Sequence, residues 1–329
     1  MISVAQYLDL SKNAKVQWQN ALLEFPSVRQ TLANLVTVGE RTSEHSSMSS
    51  VQTARRRNDG DDAYKGTMKQ AYTKNFTQTE IAINYDITYQ MRKFDKYDEI
   101  MKAMRALKRS GERRMEEDLA SLLSYAWSSS YTNIDGETVT TTTPDGNPLI
   151  YTGHTAKGSS STFSNEISTT HSPIDTEVLE ALGEKFNNFI DEADGRLAPV
   201  TPDTIITGRH TPTVHTVKRI LNSINLAGTT DNDTNTFKGE YKHLIVPYLD
   251  VTMPTEVRDA TKARYCFLAA LGNKDMNGFT MEVSEDLNLV TPEQVFESSA
   301  WQFLMRALYD FGTTRANFIA GTKGSGANV

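Results

Sequence analysis

Three features predict an α+β fold in two lobes with projecting segments. One long stretch keeps helical periodicity throughout, the other strands and helices interleave too unevenly for a repeating βαβ series, and wide polar stretches separate them. At 329 residues the chain exceeds the usual size of a single domain, so a second lobe or a long insertion is expected. Hydrophobic residues make up 38% and charged residues 23%, the balance of a globular protein. A mean hydropathy of -0.47 is polar for that class, which places the surplus polarity in loops or arms.

Residues 4–23 carry apolar side chains at irregular helical spacing, Pro26 breaks the pattern, and a second short helical stretch ends near Leu35. With no clear stripe to bury, residues 1–39 read as an N-terminal arm and not as core. Between residues 39 and 74 Ser, Thr, Gln, Arg, Asp and Gly dominate, and Asn58-Asp59-Gly60 signals a hairpin tip. A segment with so little to bury does not hold itself down, so this stretch reads as a loop whose partner is another molecule. Residues 76–89 then alternate as a strand, with Ile81, Ile83, Tyr85, Ile87 and Tyr89 on one face.

The strongest element follows. Tyr97, Ile100, Met101, Met104, Leu107, Met115, Leu119, Leu122, Leu123 and Ala126 recur at three- and four-residue steps and predict a helix over about 95–127. At roughly 1.5 Å per residue it would be about 50 Å long, with Gly111 as a point of bending. Its other face is charged, and Glu116, Glu117 and Asp118 beside Arg113 and Arg114 read as solvated i, i+4 ion pairs.

Residues 128–172 turn polar, with turns at Asp135-Gly136 and Asp145-Gly146 around short threonine-rich strands. A helix over about 175–193 opens a new folded unit, and a buried strand at 204–207 and a helix over about 212–224 follow. Further strands are expected at 244–249, 265–271 and 279–283. Residues 300–319 read as a strand pair turning at Gly312, and the glycine-rich tail from Gly321 reads as flexible.

The search for chemistry finds no catalytic, cofactor or metal site. A net charge of -7 argues against a DNA-coating role, because backbone binding depends on Lys and Arg. The single Cys266 excludes a disulfide framework and reads as a small buried hydrophobe. No signal peptide or membrane span is expected. The stretch from Asp231 begins like a calcium loop, but Thr236 and Lys242 occupy the positions that need Gly and Glu. The Lys323 tail lacks the helix of a phosphate loop, His210 and His215 are badly spaced for a shared metal, and no nucleophile motif accompanies His154 or His171.

Arg55-Arg56-Arg57 is the basic cluster that merits weighing, and two readings stay open. It is either a carboxylate clamp on a neighbouring subunit or a solvated loop neutralised locally by Asp59, Asp61 and Asp62. The candidate contact set is Arg55, Arg56, Arg57, Asp59, Asp61, Asp62 and Lys65.

The order of these elements resembles the major capsid proteins of tailed phages with the Hong Kong 97 type of fold, particularly the family that includes the Mu-like head subunit. The resemblance is carried by residues 69–98 leading into the long helix, and by Asp135-Gly136, Leu149 and His154 in the following loop. It also rests on Pro202-Asp203-Thr204-Ile205-Ile206-Thr207 before a helix, and on Phe311-Gly312 with Phe318-Ile319-Ala320-Gly321. It implies an arm (1–39), an extended loop (40–80), a peripheral domain (81–172 and 286–329) containing the spine helix, and an axial domain (173–285).

It further implies pentamers and hexamers closing into an icosahedral virion shell around double-stranded DNA, assembled in the bacterial cytoplasm. No long helical segment precedes the arm, so the implied partners include a separate scaffolding protein, together with a portal and a possible decoration protein. Two other classes remain at this stage: another virion or sheath-like assembly protein, and an enzyme with an unrecognised site.

Overall fold

The computed structural model describes residues 4–21, 25–49, 51–94, 97–167, 173–198, 200–225, 234–290, 293–294 and 300–324. Leu23, Asp95, His171, the Asp231-Asn232-Asp233 start of the calcium-like loop and the tail beyond Gly324 lie outside the described residues.

Two sheets share a core with one long helix. In the first sheet Asn34–Thr37 pairs in parallel with Phe279–Leu289, which pairs antiparallel with Trp301–Thr313. The far side of Trp301–Thr313 pairs antiparallel with Thr79–Ile87, which forms the edge of the sheet. The second sheet runs Lys242–Ile245, Thr204–Thr207, Cys266–Ala269, Ile319–Thr322, with only its first pair parallel.

The second sheet is a middle layer. Ile206, Phe267, Ala269 and Ile319 face a core that contains the C-terminal half of the long helix. Their neighbours Ile205, Cys266, Leu268 and Ala320 face a second core under the helices Thr176–Asn187 and Thr211–Asn222. Coverage on both faces explains why these strands are apolar without alternation. Asp175 caps the first of those helices by accepting from Val178 N at 2.8 Å.

The long helix spans Tyr97–Ser124, 28 residues. Met104, Met115, Leu119, Leu122 and Leu123 on its apolar stripe are buried, as the periodicity predicts. At Gly111 a Cβ would stand 2.4 Å from Leu287 and 2.5 Å from Met305, so glycine lets the sheet approach the helix.

Several sequence expectations are corrected. Residues 34–37 form a strand, not the end of a helix, because they pair with a strand almost 250 residues later in the chain. The expected arm also packs on its own body: Ala14 and Trp18 join cores with the long helix, and Leu32 is fully buried. The strand expected at 76–89 is two, Gln70–Thr77 and Thr79–Ile87, and Tyr89 begins a short helix. The helix expected to reach residue 193 ends at Asn187.

Gly312 is no turn. It lies within the 13-residue strand Trp301–Thr313, where a Cβ would meet Phe76 at 2.9 Å. Ile319–Thr322 belongs to the other sheet, so Gly321 is an ordered strand residue against Phe267 and not part of a flexible tail. Cys266 is fully buried, and burial pushes its thiol up to about 12.

Candidate inter-subunit surface

The segment expected as an extended loop is a long hairpin with two unlike ends. Its root pairs Thr42–Met48 with Gln70–Thr77 in antiparallel register. Beneath lies Glu282, 0% exposed, which accepts from Ser43 Oγ at 2.5 and 2.6 Å, His45 Nε2 at 2.5 Å and Gln78 Nε2 at 3.1 Å. These partners satisfy a charge that would otherwise be costly to bury.

Thr77 N donates to Asp310 Oδ2 at 2.6 Å, Lys74 Nζ to Thr142 O at 2.9 Å, and Lys157 Nζ to Ala71 O at 3.0 Å. Burial lowers the Lys74 ammonium pKa against the opposing pull of Asp310, and burial raises the Asp310 carboxyl. Phe76, 1% exposed, closes the root over Gly312.

Among the described residues of the tip, the side-chain contacts of 51–68 run between its own two limbs. Gly60 at φ +88° and the bond from Asp61 N to Asn58 O at 3.2 Å form the turn that Asn-Asp-Gly predicts. Arg55 stacks over the Tyr64 ring at 3.9 Å, and Tyr64 in turn bonds Gln52. Arg55, Arg56, Arg57, Asp59, Asp61, Asp62 and Lys65 are all exposed. Among the described residues no ion pair joins the three arginines to the three aspartates.

Met48, Val51, Tyr64 and Met68 are also exposed on this hairpin, at 57%, 60%, 43% and 51%. The sequence reading passed over them because they are scattered through polar residues. The signal that could have found them is large apolar side chains on both limbs of a predicted hairpin.

The carboxylates of the long helix differ from the solvated face that was expected. Glu116, Glu117 and Asp118 are buried. The predicted pairs do form, Arg113 Nε to Glu117 at 2.7 Å and Arg114 Nε to Asp118 at 2.9 Å, but under cover. Tyr309 OH donates to Asp118 at 2.5 Å, and Arg29 reaches Glu112 and Glu116.

Burial raises the Glu117 and Asp118 carboxyls while their arginines oppose it. Each carboxylate is engaged by its own partners, so the cluster fastens helix, sheet and arm and offers no free acid or base. Two histidines are held by neighbouring side chains. His154 is buried with Nδ1 2.8 Å from Asp145; burial alone would raise the Asp145 carboxyl, but His154, Thr143 and Asn147 hold it well below the usual range. His210 contacts Thr213 at the start of its helix. Among the described residues no cluster of His, Cys, Asp or Glu could hold a metal, and no helix is long and apolar enough to cross a membrane.

The family described as phage capsid protein matches residues 71–324. The fold is similar to the capsid structure of cyanophage P-SCSP1u, at 10% identity and a TM-score of 0.52 over 92% of this chain and 89% of that one. It is also similar to the capsid of Ralstonia phage GP4, at 11% and 0.51 over 95% and 92%. The capsid of Myoviridae phage XM1 gives 11% and 0.50 over 92% and 93%. No curated protein matches the sequence.

Proposed function

This chain belongs to the phage capsid protein family, with the Hong Kong 97-type fold, and we propose that its copies join as pentamers and hexamers into a closed icosahedral shell around double-stranded DNA. The role is structural. The observation that carries the reading is the hairpin, fastened at its root and unsatisfied at its tip.

Exposed Met48, Val51 and Met68 beside three arginines have little reason to project from an isolated subunit, and gain contacts when a neighbour covers them. Each contact can be weak, because a closed symmetric array links many of them at high effective concentration. Assembly in the host cytoplasm on a separate scaffolding protein, with a portal at one vertex and a possible decoration protein outside, completes the proposal.

The test replaces residues 51–68 by a short Gly-Ser turn. The subunit should remain folded by circular dichroism, while electron microscopy shows no closed particles. Shells of normal size from the shortened chain would refute the role given to the hairpin.

A further inference from the structure

The long helix carries its charge in two ways. In its C-terminal half Arg113 and Arg114 are each taken up by the carboxylate one turn on, Glu117 at 2.7 Å and Asp118 at 2.9 Å. In its N-terminal half residues 100–111 contain Lys102, Arg105, Lys108 and Arg109 and no acid. The nearest acids, Asp98 and Glu99, stand in the first turn, where the positive end of the helix dipole favours them. At about 100° per residue, Lys102 and Arg105 fall within about 60° of each other around the helix, with Arg109 between them. Lys102 is exposed and Arg105 half-buried, and among the described residues neither is in an ion pair.

A second helix extends this face. Val4–Gln19 lies beside the first half of the long helix: Ala14 shares a core with Ile100, Met101 and Met104, Trp18 shares one with Leu107, and Lys108 Nζ donates to Gln19 O at 3.4 Å. The two helices therefore run side by side in the same direction, with axes roughly 8–10 Å apart. Residues 10–23 add Lys12 and Lys15 and again no acid. Both lysines are exposed, on the side away from buried Ala14 and Trp18, and among the described residues neither has a carboxylate partner.

Such a face suits a polyanion better than a protein. Protein interfaces are built around an apolar centre, and between residues 99 and 110 no large apolar side chain is exposed; Val16 on the neighbouring helix is too small to serve as one. Duplex DNA is a line of phosphates, about one charge per 1.7 Å of its axis, and it takes up Lys and Arg by releasing counterions. The net charge of -7 keeps such contact local and weak, so a subunit can meet DNA here without coating it.

We propose that this paired-helix face, with Lys12, Lys15, Lys102 and Arg105, is the surface that the subunit turns to the phosphate backbone of the packaged duplex. The inference rests on the shell-forming role proposed above and adds which face of the subunit lies inside the particle.

Equal charge removed from two places is the test. A face variant of the full chain carries Lys15→Gln, Lys102→Gln and Arg105→Gln, and a tip variant carries Arg55→Gln, Arg56→Gln and Arg57→Gln. Binding of each unassembled subunit to a short labelled duplex of random sequence is followed by fluorescence anisotropy through a salt series. The face variant should bind about tenfold more weakly than the native chain at low salt, with a slope of log affinity against log salt smaller by roughly 2–3, while the tip variant stays within about twofold. Equal losses would make net charge the cause and overturn the proposal, and so would native binding by the face variant.

Orientation is read separately. The Lys102→Cys variant should react with a maleimide borne on a large polymer as a free subunit and be protected in closed particles; Cys266, being buried, does not interfere. Reaction at position 102 in intact particles would overturn the inward orientation. The face variant should still form closed particles by electron microscopy, and their loss from a folded subunit would mean that this face meets protein, which overturns the proposal and leaves the shell-forming role standing. No shells from the native chain would sink that role, whatever the anisotropy shows.

Discussion

At its root the extended hairpin meets its own subunit through a buried glutamate, a packed phenylalanine and bonds to three neighbouring segments. Some dozen residues further out, the contacts seen among the described residues join its own two limbs, Arg55 over Tyr64 and Tyr64 on Gln52. The root is packed as a core is, with Glu282 bonded to three side chains and Phe76 buried. The tip is not packed in this way: Arg55, Arg56 and Arg57 are exposed, and so are Val51 and Met68. The contrast shows where the subunit is finished and where it needs another molecule.

The comparison can be broken first at Phe76. Phe76→Ala should cost about 3–5 kcal/mol of subunit stability, read from thermal or urea denaturation, because the ring fills the space over Gly312. A loss below about 1 kcal/mol would mean that the root is no more core than the tip. Next comes Glu282→Ala, which strips Ser43, His45 and Gln78 of their shared acceptor and should cost about 2–3 kcal/mol by the same measurement.

A smaller effect is expected from Asp310, and its pH dependence sharpens the picture of the root. Burial raises this carboxyl, so the folded chain still holds the proton at pH values where the unfolded chain has released it. Its contribution to stability is therefore full below the unfolded value of about 4 and is lost as the pH rises through the folded value. Relative to Asp310→Asn, the native protein should lose stability as the pH is raised from about 4 towards neutrality. Parallel curves in a pH series of urea denaturations would show that Asp310 is not desolvated.

The smallest effect on the subunit belongs to the tip. Arg55→Ala, Arg56→Ala and Arg57→Ala together should leave subunit stability within about 0.5 kcal/mol, while particle yield in sedimentation falls at low salt and the difference from the native chain narrows at high salt, where screening weakens the pairs. A destabilised subunit would place these arginines among the root's intramolecular contacts. Unchanged assembly across a salt series would return them to the reading of a solvated loop.

The local grammar of the chain was readable without coordinates. The long helix announced itself because its side chains repeat with a 3.6-residue period, and its buried stripe agrees residue by residue from Ile100 to Ala126. The hairpin turn at Asn58-Asp59-Gly60 was readable because it depends on the residues' own conformational preference. The exposed basic tip was legible for the same reason, since composition alone left it nothing to pack against.

Burial of charge and choice of strand partner were decided only by tertiary structure. Glu117 and Asp118 read as solvated because nothing near them foretells that Tyr309, 191 residues from Asp118, closes over that site. Asn34–Thr37 becomes a strand because Phe279–Leu289 offers an edge, and Ile319–Thr322 parts from Trp301–Thr313 because Cys266–Ala269 has a free side. The ion pairs of Arg113 with Glu256 and Arg114 with Asp135 likewise join segments that no spacing rule connects. Periodicity and capping act over a few residues and are written in order along the chain; pairing and desolvation act between segments that meet only once the chain has folded.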